Sequence, residues 1–172
     1  MPKIIENLPQ RLLEEAKNQI LQTGYSAMTI RSIAHQCGVG VGTVYNYYRS
    51  KEEMVAAFLL EDWKKCTANI ISCAEATSKA EEVLQEMHRN LVSFSRQYAP
   101  IFEDHTAAQS FSGSHSTYHG LLRKQLADPL GKFCKDAFTA EFIAEAVLTW
   151  TMAGKSFDEL YCVLKPLFEK EK

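Results

Sequence analysis

Several common signatures are missing from this chain. It has no stretch approaching the roughly 18 consecutive apolar residues of a membrane span, so no membrane partner is expected. It has no CxxC pair. Its five cysteines, Cys37, Cys66, Cys73, Cys134 and Cys162, are scattered and odd in number, which suits neither a zinc ribbon nor a paired disulfide framework. An apolar N-terminal signal segment is also lacking, and the expectation is a reduced, cytoplasmic protein. Net charge is small: 19 Lys and Arg against 21 Asp and Glu leave −2, a balance that by itself selects neither nucleic acid nor membrane. Low-complexity segments and fixed-period repeats are absent.

What is present is helical. Of the 172 residues 46% are hydrophobic, enough for a buried core, and their spacing follows a helical period almost throughout. No sustained alternation flanked by turn residues argues for strands, so the fold class is all-α, with about nine helices expected. Charge is patterned locally. From Thr29 to Lys51 the chain carries Arg31, Arg49 and Lys51 and no acid at all, while the acidic surplus lies further on.

Helix boundaries are written in caps and breakers. Pro9 suits a first turn, where its missing amide hydrogen is not needed, and Gly24 marks the end of that helix. Thr29 can cap a second helix running to about Gln36. Ser50 with Glu53, Ser78 with Glu81 and Ser156 with Glu159 each fit a reciprocal capping box. After Ser50 the positions Val55, Leu59, Trp63, Cys66, Ile70 and Cys73 step by three or four, which predicts one long helix with a single apolar stripe. The series Leu84, Met87, Leu91, Phe94 and Tyr98 continues it until Pro100. Ser110 to Ser116, SFSGSHS, reads as a loop. Thr139 can cap a helix to about Gly154, and Ser156 caps the last one, which Pro166 bends.

The informative window is Thr29 to Met54, TIRSIAHQCGVGVGTVYNYYRSKEEM. Two short helices that pack across a tight bend need a small residue at the close approach, a glycine at the bend and an apolar residue six positions later. Ala34, Gly38 and Val44 supply these, with Val39 beside them. A short helix from about Val41 to Tyr47 then exposes Thr43, Tyr45, Asn46 and Tyr47, whose hydroxyls, amide and aromatic edges suit phosphates and base edges in a major groove. Lys51, opening the long helix, can reach a backbone phosphate. Tyr48 falls on the side of Val44 and Val55 and reads as core. Arg31 and Arg49 suit phosphates or open solvent equally well.

This window resembles the TetR/AcrR family of bacterial regulators. Thr29, Ile30, Ile33, Ala34, Cys37, Gly38, Val39, Gly42, Thr43, Val44, Tyr45, Tyr47, Tyr48, Ser50, Lys51, Glu52 and Met54 all fit the family's pattern. The resemblance implies a helix-turn-helix DNA-binding domain over residues 1–50 and a helical ligand-binding and dimerisation domain over 51–172. It implies phosphate contacts for Thr29, Tyr45, Tyr47 and Lys51, with Gly40, Val41, Thr43 and Asn46 nearer the bases. Two positions depart from the pattern. Gly40 stands where Ser or Thr usually caps the recognition helix, and Val41 where Lys or Arg is common, so the reading surface is short of a cation.

Past Met54 the resemblance is architectural. It implies a double-stranded DNA operator, an unknown small-molecule inducer, and a homodimer through the last two helices, where Ala144, Ala146, Ala153 and Gly154 permit close approach. Candidate pocket residues are Trp63, Met87, Phe94, Tyr98, Phe102, Phe111, Tyr118 and Trp150, although aromatics at helical spacing are core more often than pocket. His105, His115 and His119 with Asp104 raise a metal reading, but no acid stands in a zinc-protease spacing and the cysteines are distant. No cofactor, metal or catalytic activity is expected, because no nucleophile stands with a base. The alternatives are a DNA-binding structural or division-linked protein without an inducer and a metal-dependent enzyme.

Overall fold

A computed structural model describes residues 7–112 and 115–168, with side chains except at 115–118. Ten helices and no strand occur among the described residues. They are α1 (Leu8–Thr23), α2 (Ile30–Cys37), α3 (Val41–Tyr45), α4 (Lys51–Ala76), α5 (Ala80–Gln97), α6 (Ala99–Phe102), α7 (His105–Phe111), α8 (His115–Ala127), α9 (Ala137–Met152) and α10 (Phe157–Leu164). The chain divides into two compact units, residues 1–62 with 97–113 and residues 63–96 with 114–172. The single helix α4 contributes to both.

In the first unit α1 buries Leu8, Leu12, Leu13, Ala16 and Ile20, one face of an amphipathic helix, and ends at Gly24, whose φ of 88° few other residues adopt. The same unit buries Ile33 and Ala34 of α2, Val44 of α3, and Met54, Val55 and Phe58 of α4. The return segment adds Tyr98, Ile101 and Ala107 to the same unit. Tyr98 stacks on Phe58 at 5.9 Å, and its hydroxyl donates to Asp62 Oδ2 at 2.5 Å, an oxygen that Lys17 Nζ also reaches at 2.5 Å. Burial is the main cause that raises the Tyr98 phenol above its ordinary range, so it stays protonated and donates.

The second unit has its own core: Trp63, Cys66 and Ile70 of α4, Val83, Leu84, Met87 and Leu91 of α5, Leu126 of α8, Ile143, Ala144 and Val147 of α9, and Leu160 and Leu164 of α10. Burial pushes the Cys66 thiol up to about 11, so it behaves as a small apolar side chain. The end of α4 is closed by Lys132, whose ammonium donates to the carbonyls of Ala74 and Thr77 that the helix leaves free.

Caps decide where the sequence expectations hold. Thr29 caps α2, and Ser156 with Glu159 forms the reciprocal box of α10. Ser50 accepts the Glu53 amide at 3.1 Å, but the Glu53 carboxylate turns to the Arg49 amide. Two expected starts move. At α9 the cap is Asp136, whose carboxylate takes the Thr139 amide at 2.7 Å, so Thr139 is capped rather than capping. At α5 the hydroxyl of Thr77, not Ser78, takes the Lys79 amide and donates to Glu82, and the helix opens at Ala80. The expected loop over 110–116 is mostly absorbed into helices. Ser110 and Phe111 end α7, His115 and Ser116 open α8, and Gly113 and Ser114 lie outside the described residues. Pro166 sits in a 3-10 turn that ends α10 at Leu164.

Candidate nucleic-acid interface

The bend between α2 and α3 is built as the sequence suggests. Gly38 closes α2 with φ 69°, and its amide and that of Val39 bond back to His35 and Ala34 carbonyls. A side chain at that φ would be strained, which explains the glycine. Ala34 and Val44 are fully buried, whereas Val39 is half-buried. Tyr48 is also half-buried and donates its hydroxyl to the Pro9 carbonyl at 3.2 Å, tying the end of the motif to the start of α1.

The outward surface is mixed in character. Helix α3 is shorter than expected, ending at Tyr45. Asn46 and Tyr47 continue in a turn whose amides bond to Gly42 and Val44. Tyr45 and Tyr47 are about half exposed at 50% and 47%, Asn46 is exposed, and Val41 is 37% exposed, so each can be met from outside. Thr43 is half-buried, and its amide bonds to the Gly40 carbonyl at 2.9 Å. Gly40 caps α3 with an extended backbone and no side-chain bond. A Cβ there would meet only Thr43 Oγ1 at 3.9 Å, so the pocket for a serine exists.

Two of the expected phosphate ligands are already engaged by the protein. The Thr29 hydroxyl accepts the Ser32 amide at 3.0 Å, while the Thr29 amide donates to Ser32 Oγ at 3.2 Å. Ser32 Oγ in turn reaches Gln19 of α1 at 2.6 Å. The Lys51 ammonium donates to the carbonyls of Tyr25 and Met28, the second at 2.8 Å, and lies 4.0 Å above the Tyr25 ring. Partial burial lowers the Lys51 pKa from its ordinary value. Expected as a phosphate ligand, Lys51 is first a latch on the loop before α2, because that loop leaves two carbonyls without helical partners. One of its three N–H groups is left over. Among the described residues Arg31 and Arg49 are exposed cations on this unit, and the sequence reading left their roles open.

A second set of bonds anchors the same loop. Asp104 caps α7 through the Thr106 and Ala107 amides at 2.8 and 3.0 Å, and its other oxygen takes the Ser26 hydroxyl at 2.8 Å. Those backbone bonds, that from Ala107 first, hold the Asp104 carboxyl below the usual carboxylate range. Its partners are therefore amides and a hydroxyl. His105 opens α7 exposed, and His119 faces Glu145 at 3.6 Å. The His115 side chain lies outside the described residues. No group of three or more His, Cys, Asp or Glu stands together as a metal site among the described residues.

The candidate pocket residues are divided between the two units. Trp63 and Met87 are buried in the core of the second unit. The Trp63 indole donates to Gln125 at 2.6 Å and its ring meets Phe94 edge-on at 5.5 Å. Trp150 is 51% exposed on α9. Tyr98, Phe102 and Phe111 belong to the first unit, where Phe111 packs edge-on to Tyr25 at 6.2 Å. The Tyr118 side chain lies outside the described residues. Helical spacing marks apolar stripes, and it cannot separate a stripe that fills a core from one that lines a space.

Residues 12–58 match the family described as bacterial regulatory proteins, tetR family. The HTH-type transcriptional regulator UidR of Escherichia coli strain K12 is 28% identical over 58 residues, which are 34% of this chain and 30% of that relative. The structure is similar to a transcriptional regulator from Cytophaga hutchinsonii, with a TM-score of 0.67 at 16% identity over 92% of this chain and 95% of the other. It is also similar to the multidrug binding protein EbrR, solved with imidazole, with a TM-score of 0.68 at 16% identity over 95% and 96%. At such identities the likeness is one of fold. No helix among the described residues is long and apolar enough to cross a membrane.

Proposed function

We propose that the chain is a TetR-family regulator, the family that residues 12–58 match, and that it is a ligand-responsive repressor that reads a palindromic DNA operator as a dimer. The observation that carries this reading is the pair α2 and α3. They are locked by Gly38 and buried Val44, and they leave Val41, Tyr45, Asn46 and Tyr47 on the outside. Residues 1–50 hold this reading surface; residues 51–172 hold the sensing and pairing functions. Gly40, Val41, Thr43 and Asn46 meet bases. Tyr45, Tyr47, the exposed end of α2 at Thr29, and the remaining N–H of Lys51 meet phosphates, joined by Arg31 and Arg49. Base recognition is then polar and apolar, with Val41 against a thymine methyl.

Pairing through α9 and α10 is supported by what those helices leave uncovered. Phe138, Phe142 and Trp150 on α9 and Val163 on α10 are exposed by half or more, a set of large apolar side chains that a second copy would cover. Ligand control is carried by α4, one continuous helix from Lys51 at the reading surface to Ala76 in the second unit. A ligand acts through it only by binding the operator-competent and incompetent states unequally. The chain acts in the cytoplasm as a binding protein and not as an enzyme.

Selection of bound DNA from a random pool tests the reading. The expected result is a palindrome whose half-sites lie about one turn of DNA, roughly 10 bp, or a multiple apart. Enrichment of a single unrepeated element, or of nothing, would overturn it.

A further inference from the structure

The second unit carries an open groove that the reading above does not use. It lies along the outer face of α5 and is closed at one side by Phe157, the first residue of α10, with a volume of about 470 Å³. That falls within the range of small-molecule sites. His88, Arg89, Val92, Ser93 and Arg96 line it, and no carboxylate does.

The chemistry of the groove is divided into two parts. Arg89 and Arg96 are seven residues apart, two helical turns and so on one face, about 10.5 Å along the axis and within the joint reach of two guanidinium side chains. Arg89 already shares Glu86 at 2.7 Å, while Arg96 is exposed. The other part is aromatic. His88 donates its Nε2–H to the Lys155 carbonyl at 2.9 Å and thereby fixes α5 to the turn before α10. Its ring stands edge-on to Phe157 at 6.0 Å, and Phe157 stacks on Tyr161 at 5.4 Å. Behind His88 and Phe157 the side chains of Leu84, Val147, Leu160 and Leu164 close up and leave no room for even a water-sized group.

We infer that this groove binds a small aromatic monocarboxylate, with its carboxylate on Arg96 and Arg89 and its ring against Phe157. Guanidinium groups hold a planar carboxylate through paired N–H donors, and a flat apolar body is what a stacked aromatic face accepts. A polyanion is a poorer fit, because Glu81 and Glu82 stand one turn before the groove on α5 and end the run of cations. The inference names the ligand chemistry that the proposed function leaves open. It rests on that reading only for its regulatory consequence.

The test uses the whole chain, labelled with nitrogen-15 and titrated without DNA with 1-naphthoate and, separately, with uncharged 1-naphthalenemethanol. The expected result is that 1-naphthoate shifts the amides of Val92, Ser93 and Phe157, and that the neutral analogue binds about tenfold more weakly or worse. The double variant R89Q/R96Q, whose substituted side chains are exposed, should keep the helical spectrum of the parent and lose about tenfold in affinity for 1-naphthoate. Equal binding of the two probes to the parent would overturn the site. So would undiminished affinity in the double variant, shifts confined to residues outside the groove, or no shift up to about 5 mM. Operator selection is read independently, so the groove and the DNA reading fail separately.

Discussion

Lys51 lies 4.0 Å above the ring of Tyr25 and donates a hydrogen bond to the backbone carbonyl of the same residue. The Tyr25 hydroxyl completes the arrangement by donating to Glu52 at 3.1 Å. A cation at the start of α4 therefore holds the loop that delivers Thr29 to the head of α2.

Replacing Lys51 by Met keeps the apolar stem and removes the ammonium. The loop carbonyls of Tyr25 and Met28 lose their donor, and stability should fall by about 1–3 kcal/mol in urea unfolding. Operator binding should weaken as well, with a salt dependence shallower by about one phosphate. Unchanged stability would show that the latch is idle.

Val41→Arg places a cation at an exposed position of the proposed reading surface. The expected outcome is tighter operator binding and a log–log salt slope steeper by about 0.9, measured by fluorescence anisotropy at several salt concentrations. Sequence preference should shift from a thymine contact toward guanine. No change in either would remove Val41 from the interface.

Phe138→Glu with Phe142→Glu puts two charges on the uncovered face of α9. Both side chains are already more than half exposed in the single chain, so the helical content should persist. Sedimentation should give monomers where the parent gives dimers. Persistent dimers would move the interface away from α9.

Acid should loosen the start of α10. Glu159 accepts the Ser156 amide and hydroxyl and the Lys155 ammonium, each at 2.9 Å. The Ser156 backbone bond, followed by the lysine, draws its carboxyl from 4.5 down to about 2. A carboxylate depressed in the folded state adds stability that is complete above its unfolded pKa and lost as pH falls through its folded one, here from about 4.5 to about 2. Asp104 and Asp136 shift in the same direction through backbone bonds at α7 and α9. Urea midpoints followed across that range should decline, and Glu159→Gln should flatten the decline.

How much of this is legible from sequence depends on range. The bend at Gly38, the cap at Thr29 and the box at Ser156 are local chemistry, complete within a few residues, and they stand where the sequence places them. The start of α9 differs from the expectation because two side chains compete within one turn, and the charged oxygen of Asp136 takes the amide of Thr139. Lys51 reads as a phosphate ligand because its partners are carbonyls 23 and 26 residues away, which no spacing rule reports. The same limit applies to the aromatic residues. Periodicity places Tyr98 and Trp63 on apolar stripes, and only the return of the chain decides which unit each one fills.

The bond from Ser26 to Asp104 spans 78 residues of chain. The first unit is consequently not a cassette that ends where its motif ends. It borrows residues 97–113, including fully buried Tyr98, to cover the same core. A chimaera that grafts the first 62 residues onto a foreign body would strand Phe58 without its stacking partner and the Ser26 loop without its anchor. On the proposed function, retargeting means changing the outward side chains between Gly40 and Tyr47, with the α6 and α7 segment carried along in any exchange.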